Sequence, residues 1–201
     1  MIVRKKNQKQ IFLVLASQSK GRKQILENLG INFKIDPANI DEDNHDIKNP
    51  EELVKFLSLE KAKLIAAKYH DSLIIAADTI VLKDGEIIGK PKDESHAKEM
   101  LNKLNGTTHE VYTGLALYDT TTQKHAVDLD CSLVEFYKLN DEKIESYLKS
   151  REWIGKAGSY SSQEQGGQML IKKISGDPSN VVGLPINLFK KMLNELDLEI
   201  K

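Results

Sequence analysis

The longest apolar run in the chain is LIIAADTIVL, residues 73–82, interrupted only by Asp78 and Thr79. Its β-branched, non-alternating character predicts a strand buried on both faces, the centre of an α/β sheet. IFLVLA, residues 11–16, reads as a second buried strand. Beyond it Ser19 is placed to cap a short helix whose inward face carries Ile25, Leu26 and Leu29, and Gly30 stops it. Residues 31–35 suggest another strand, and the polar, acidic residues 36–50 a loop. An amphipathic helix is predicted over residues 51–69, with Leu53, Leu57, Leu64 and Ala67 on its buried face.

After the central strand, Lys83-Asp84-Gly85-Glu86 is a turn signal that returns the chain through Ile87 and Ile88. A helix follows over 96–104, then strands over 111–118 and 126–137 joined by a polar turn. A helix over 141–149, a Gly-rich loop over 155–167, a strand over 168–174 and a final helix over 185–196 complete the pattern. Strands alternating with helices predict an α/β fold with a mixed, twisted sheet flanked by helices. We expect one domain over residues 1–201, with residues 1–10 a flexible basic N-terminus.

Composition narrows the partners. Lys and Arg number 29 against 30 Asp and Glu, a net charge of −1, which argues against general attraction to nucleic acid or an anionic membrane. A small anion remains possible, because it needs only a local group of cations. The one cysteine, Cys131, permits no intramolecular disulfide and suits a reducing compartment. MIVRKKNQKQ before IFLVLA mimics a secretory signal, but six apolar residues are too few for one. A cytoplasmic location is therefore expected.

Three features could carry chemistry. Asp78 puts a carboxylate where a buried strand is expected to end, the usual place for a ligand in an open α/β sheet. On position alone it serves either a reaction or a structural use, capping the following turn or pairing with a neighbouring lysine. Lys90, twelve residues on, returns to the same edge if the intervening turn is a hairpin. LASQSKGRKQIL runs from a strand through two serines into a helix whose first turn holds Lys20, Arg22 and Lys23. Cations there oppose the helix dipole, so their presence points to an anion held by the free N–H groups and side chains. Arg22 also shares the inward face with Ile25, Leu26 and Leu29. The string lacks the spacing of a P-loop.

These strings, with IDE (40–42), EKA (60–62), AADT (76–79), GKPKD (89–93), NGTTHEVYTG (105–114), KAGSYSSQ (156–163) and SGDPSNVVGLP (175–185), resemble the Maf family in order along most of the chain. Maf proteins are septum-formation-inhibitor-like nucleoside triphosphate pyrophosphatases. The resemblance implies two lobes around a central cleft, as in inosine triphosphatases. It also implies hydrolysis of a nucleoside triphosphate to monophosphate and pyrophosphate with a divalent cation, Mg²⁺ or Mn²⁺. By position it makes Asp78 the proton acceptor, and Ser17, Arg22, Lys61 and Lys90 the phosphate-binding set. Glu42, with Asp78, is the metal-associated carboxylate. Whether Asp78 takes the proton or holds the metal stays open. A homodimer is a further implication.

The resemblance also implies that Gly21, Thr79 and Gln163 set specificity. Thr79 and Gln163 match the family's dTTP/UTP branch, and an amide can pair with the imide edge of thymine or uracil. Lys20-Gly21-Arg22 stands where the family usually has Pro-Arg-Arg, which admits methylated or otherwise modified nucleotides such as 7-methyl-GTP as the alternative. A largely non-catalytic nucleotide-binding regulator of septum formation is the competing class. His45, His70, His96 and His125 show no metal-ligand spacing. His109 and Thr113 match family positions, with a structural use expected of the histidine, and Trp153 either borders the base or packs.

Overall fold

A computed structural model describes residues 1–6, 8–42 and 46–201. The chain opens with β1 (Ile2–Arg4), β2 (Phe12–Leu15), α1 (Lys20–Asn28), β3 (Lys34–Ile35) and α2 (Pro50–Ala66). Its middle holds β4 (Ser72–Lys83), β5 (Glu86–Ile88), α3 (Glu94–Leu104), β6 (Thr108–Asp119) and β7 (Lys124–Phe136). It closes with α4 (Asp141–Ser150), a 3-10 turn (Ala157–Ser159), α5 (Gln165–Leu170), β8 (Ile171–Ser175), α6 (Pro178–Val182), α7 (Ile186–Glu195) and β9 (Leu198–Ile200).

The main sheet has the order β3-β2-β4-β6-β7-β8, with β5 added to the end of β4. β3, β2 and β4 run parallel, while β6, β7, β8 and β5 pair antiparallel, so the sheet is mixed as expected. β4 lies at its centre. Ile74 and Ala76 face α2, packing with Ala62 and Ile65, whereas Leu73, Ile75 and Ala77 face α1 and α7. Farther along, Val81 joins a separate cluster under α3 and α4 with Leu101, Leu104, Ile144 and Leu148. The long strands thus run through two apolar bodies, one at each end, with a cleft between them.

Local chemistry explains most boundaries. Asn49 caps α2 by accepting from the N–H groups of Glu51 and Glu52 at 2.9 and 3.1 Å, and Pro50 takes its first turn. Asp84 and Gly85 adopt φ of 52° and 80°, the left-handed pair that a tight hairpin requires, and so β5 folds back on β4.

Four expectations need correction. Residues 1–10 are not simply a flexible tail: β1 pairs with β9, Ile2 and Val3 are buried, and Arg4 grips Asp119 through two bonds of 2.6 and 2.9 Å. The partner strand is almost two hundred residues away, so no local pattern announces it. α2 ends at Ala66, and Leu64 and Ala67 are exposed; Val54, Ser58, Lys61, Ala62 and Ile65 join Leu53 and Leu57 inside. An apolar count passes over an inward lysine. Residues 168–170 belong to α5, not to a strand, because the Glu152 carboxylate accepts the Gly166 and Gly167 N–H groups and starts a helix there. Finally, Asp78 stands in the middle of β4, not at its end.

Candidate active site

β4 outruns its parallel neighbour. β2 is paired with it only as far as Leu15 opposite Ile75, and β5 joins only from Val81. Between those points β6 covers one edge of β4, and the other edge carries no strand among the described residues. The strand end that matters is therefore that of β2, and Asp78 lies three residues past it on a strand that continues. Side chains alternate across this open edge: Asp78 points to the α2 face and Thr79 to the α1 face.

On the α2 face, Lys61 is the hub. Its Nζ lies 2.6 Å from Asp78 Oδ1 and 2.6 Å from Glu42 Oε1. Lys61 and Asp78 are both buried, the side chains 8% exposed. An ammonium has three donors, so one remains. Glu42 Oε2 meets the exposed Lys90 Nζ at 2.8 Å, which brings Lys90 to the mouth of the cleft as the hairpin predicts. The Gly89 carbonyl accepts from Gly158 N–H at 3.0 Å and ties the Lys90 segment to the opposite wall. Burial would raise the Glu42 pKa, but Lys61 and Lys90 outweigh it and bring it down to about 2. Asp78 Oδ2 accepts no hydrogen bond among the described residues and is the carboxylate atom left for a ligand.

Arg22 dominates the other face. Its Nε donates to the Gly183 carbonyl at 2.8 Å, Nη1 to Ser17 Oγ at 3.0 Å and Nη2 to Thr79 Oγ1 at 3.1 Å. Three of five N–H groups hold the side chain in place, and two are left to meet an anion. Burial pulls the guanidinium below its ordinary pKa against the pull of Asp78 and Glu42, yet it stays a cation. Ser17 Oγ accepts from both Arg22 and the Ser19 N–H, so its own proton is free to donate outward. Ser19 caps α1 by accepting from Arg22 N–H, and the first N–H groups of that helix face the cleft beside it. Lys20 and Lys23 are exposed, and only Lys20 borders the cleft.

The cleft encloses about 790 Å³, room for a nucleotide. Gln163 also borders it, and a Cβ built on Gly21 would come 2.7 Å from Gln163 Oε1 and 2.8 Å from Val182 Cγ1. The residues expected to select substrate, Gly21 and Gln163, are thus in contact, while Thr79 faces Arg22 instead of Gln163. Sequence reading passed over Arg151 and Lys156 as cleft cations; Lys156 lies inside the KAGSYSSQ string, which was the available signal. Trp153 packs, donating to the Leu148 carbonyl at 2.9 Å, and does not border the cleft. His45 lies outside the described residues.

A family model described as Maf-like protein matches residues 12–196. The chain belongs to the Maf family. Two curated Maf relatives, both named dTTP/UTP pyrophosphatase, are similar along nearly all of it. The protein of Ruminiclostridium cellulolyticum is 43% identical over 94% of this chain and 97% of its own. That of Bacillus cereus is 37% identical over 98% and 96%. Among solved structures, the Staphylococcus aureus Ham1 protein superposes with a TM-score of 0.53 at 13% identity, covering 92% of this chain and 98% of that one, a likeness of fold.

The donor set of this Maf chain fits a hard divalent cation. Glu42 and Asp78 each commit one oxygen to Lys61 Nζ, which leaves Asp78 Oδ2, with Glu42 Oε2 beside the exposed Lys90, as the oxygens that would face a cation. Two carboxylates, with water and phosphate oxygens completing the shell, is the usual protein share of a Mg²⁺ site. Among the described residues no three His, Cys, Asp or Glu side chains converge. Nor, among them, is any helix long and apolar enough to cross a membrane.

His109 supports the cleft from beneath. It is 2% exposed, its Nε2 lies 2.8 Å from the hydroxyl of Tyr160, which borders the cleft, and its ring packs edge-on to Phe136 and Tyr160. Burial, aided by the charge of Lys83, pushes its pKa down to about 4. The unfolded chain then binds the extra proton first, so stability is full above pH 6.5 and falls as pH drops toward 4. His109 alone is expected to remove about 3 kcal/mol across that window. Urea melts at pH 4.5 and 7 check this, and His109→Gln should flatten the difference.

Proposed function

We propose that this chain hydrolyses dTTP and UTP, or modified analogues, to the monophosphate and pyrophosphate by attack of water at the α-phosphorus. The observation that carries this reading is the pairing of Asp78 and Glu42 with Lys61 on one face of an open strand edge, and Arg22 on the other. A triphosphate laid across that edge would meet Arg22, Ser17 and the N-terminus of α1 on one side, and Lys90 and the free Lys61 donor on the other. Cations so fixed stabilise the charge that moves onto the leaving pyrophosphate. Asp78 Oδ2 takes the proton of the attacking water as the new P–O bond forms and the bond to the bridging oxygen of the β-phosphate breaks. A divalent cation held by Glu42 and Asp78 would neutralise phosphate charge and lower the pKa of water when bound.

The base would lie toward Gln163, whose amide can both donate and accept at an imide edge. Gly21→Arg brings a side chain against the tip of Gln163 and one methyl of Val182, with the Val182 carbonyl oxygen 3.4 Å from the new Cβ, and an unchanged melting temperature is the control that the fold is kept. The substitution should displace the Gln163 amide and alter the ratio of rates on dTTP and 7-methyl-GTP. An unchanged ratio would remove position 21 from substrate choice.

Pyrophosphate release from canonical and modified triphosphates, with Mg²⁺ or Mn²⁺, tests the activity itself. Turnover on dTTP and UTP is the expected outcome; tight binding without release across the panel refutes it.

A further inference from the structure

Thr113 is fully buried in β6, on the side of the sheet away from Asp78, and does not itself border the cleft. Its hydroxyl nevertheless connects to Arg22. Thr113 Oγ1 lies 2.9 Å from the Asn180 carbonyl, which can only accept, so the single Thr113 proton is committed there. The next contact, 3.0 Å between Thr113 Oγ1 and Thr79 Oγ1, must then use the proton of Thr79. With that proton spent, Thr79 Oγ1 presents only lone pairs to Arg22 Nη2 at 3.1 Å, and an arginine can only donate. The directions agree at every link: Arg22 to Thr79 to Thr113 to Asn180.

The far end of this chain is firmly held. Asn180 is buried, and its Nδ2 donates to the Val111 carbonyl at 2.9 Å and to Ser132 Oγ at 3.0 Å. α6 and the Gly183 that caps it therefore grip Arg22 twice, directly through the Gly183 carbonyl that accepts from Nε, and indirectly through Asn180 and the two threonines. We propose that Thr113 is a positioning residue for Arg22. By fixing the hydroxyl of Thr79 as an acceptor, it locks the guanidinium plane so that the two remaining N–H groups face a phosphate. On this view Thr79 acts through Arg22, not through the base. The inference rests on the phosphate-binding role proposed for Arg22 above.

Thr113→Val keeps the shape and removes the link, while Thr113→Ser keeps the hydroxyl. The direct readout is the ¹⁵N signals of the Arg22 guanidinium in the ligand-free protein. In wild type and Thr113→Ser the Nη groups should be distinct, as expected of a guanidinium held on three sides. In Thr113→Val they should average or broaden, with Nε, still bonded to Gly183, retained. The kinetic readout, beside the Arg22 signals, is dTTP hydrolysis: Thr113→Val should lower kcat/KM about tenfold, the scale of weakening one charge-assisted bond. Thr113→Ser should restore both. Unaltered Arg22 signals in Thr113→Val overturn the proposal. So do equal losses in the valine and serine variants, which mark a packing role. If the wild-type protein fails to hydrolyse dTTP, the proposed activity falls, and the guanidinium signals still decide the role of Thr113.

Discussion

Asp78→Asn is expected to lower kcat for dTTP by about 10²- to 10⁴-fold, the range for loss of a positioned proton acceptor. KM should change little, because Arg22, Ser17 and Lys90 are untouched. The fold should survive for a specific reason. Lys61 Nζ keeps Glu42 as a charged partner at 2.6 Å, and the amide oxygen that replaces the carboxylate can still accept from it. A melting temperature within a few degrees of wild type is the control. The same variant separates the two roles left open for this carboxylate. If excess Mn²⁺ restores turnover, Asp78 holds the metal; if the loss persists at saturating Mn²⁺, it takes the proton. Full activity at ordinary metal concentration would remove Asp78 from the chemistry.

The residues of this site were mostly legible one by one, and their arrangement was not. Asp78 stood out as a charge inside an apolar run, and Arg22 as a cation on an inward helical face. Both border the cleft at the open edge of β4. Their placement on opposite faces of one strand follows from the period of two, but the open edge that exposes both depends on where β2 stops and β5 starts. That is a property of three segments together. Lys61 shows the opposite failure: a lysine on the buried face of α2 shifted the predicted apolar stripe to Leu64 and Ala67. The same residue that confounded the pattern is the one that joins Asp78 to Glu42. β1 with β9, and the start of α5 on Glu152, escaped because their partners are distant in the chain. The hairpin that returns Lys90 was readable because Asp-Gly specifies its own backbone.

Gly114→Ala is expected to have the largest effect on the molecule as a whole. Gly114 sits directly across from Asp78 in the β4–β6 ladder, so both face α2. A Cβ there would lie 2.1 Å from the Val54 carbonyl oxygen and 2.3 Å from its carbon, atoms of the helix backbone that no rotamer change can move aside. α2 rests on the bare Cα of Gly114. Lys61 lies seven residues beyond Val54, two turns along the same face, so this close approach sets how near its ammonium comes to Asp78. Adding one methyl must push the helix outward and lengthen that contact. Overpacking of this kind costs about 3 kcal/mol, and at this chain length that corresponds to a melting temperature ~10 °C lower. Below the melting range kcat/KM should still fall about 10²-fold, the scale of an ångström's misplacement in a reacting group. Gly89→Ala, where a Cβ meets nothing within 4 Å, is the stability control and should melt within about two degrees of wild type. A Gly114→Ala protein that melts with the control and keeps its turnover would show that α2 can yield without disturbing Lys61. The two substitutions then separate what Asp78 does from what brings Lys61 to it: Asp78→Asn removes the carboxylate with the helix in place, and Gly114→Ala moves the helix with the carboxylate intact.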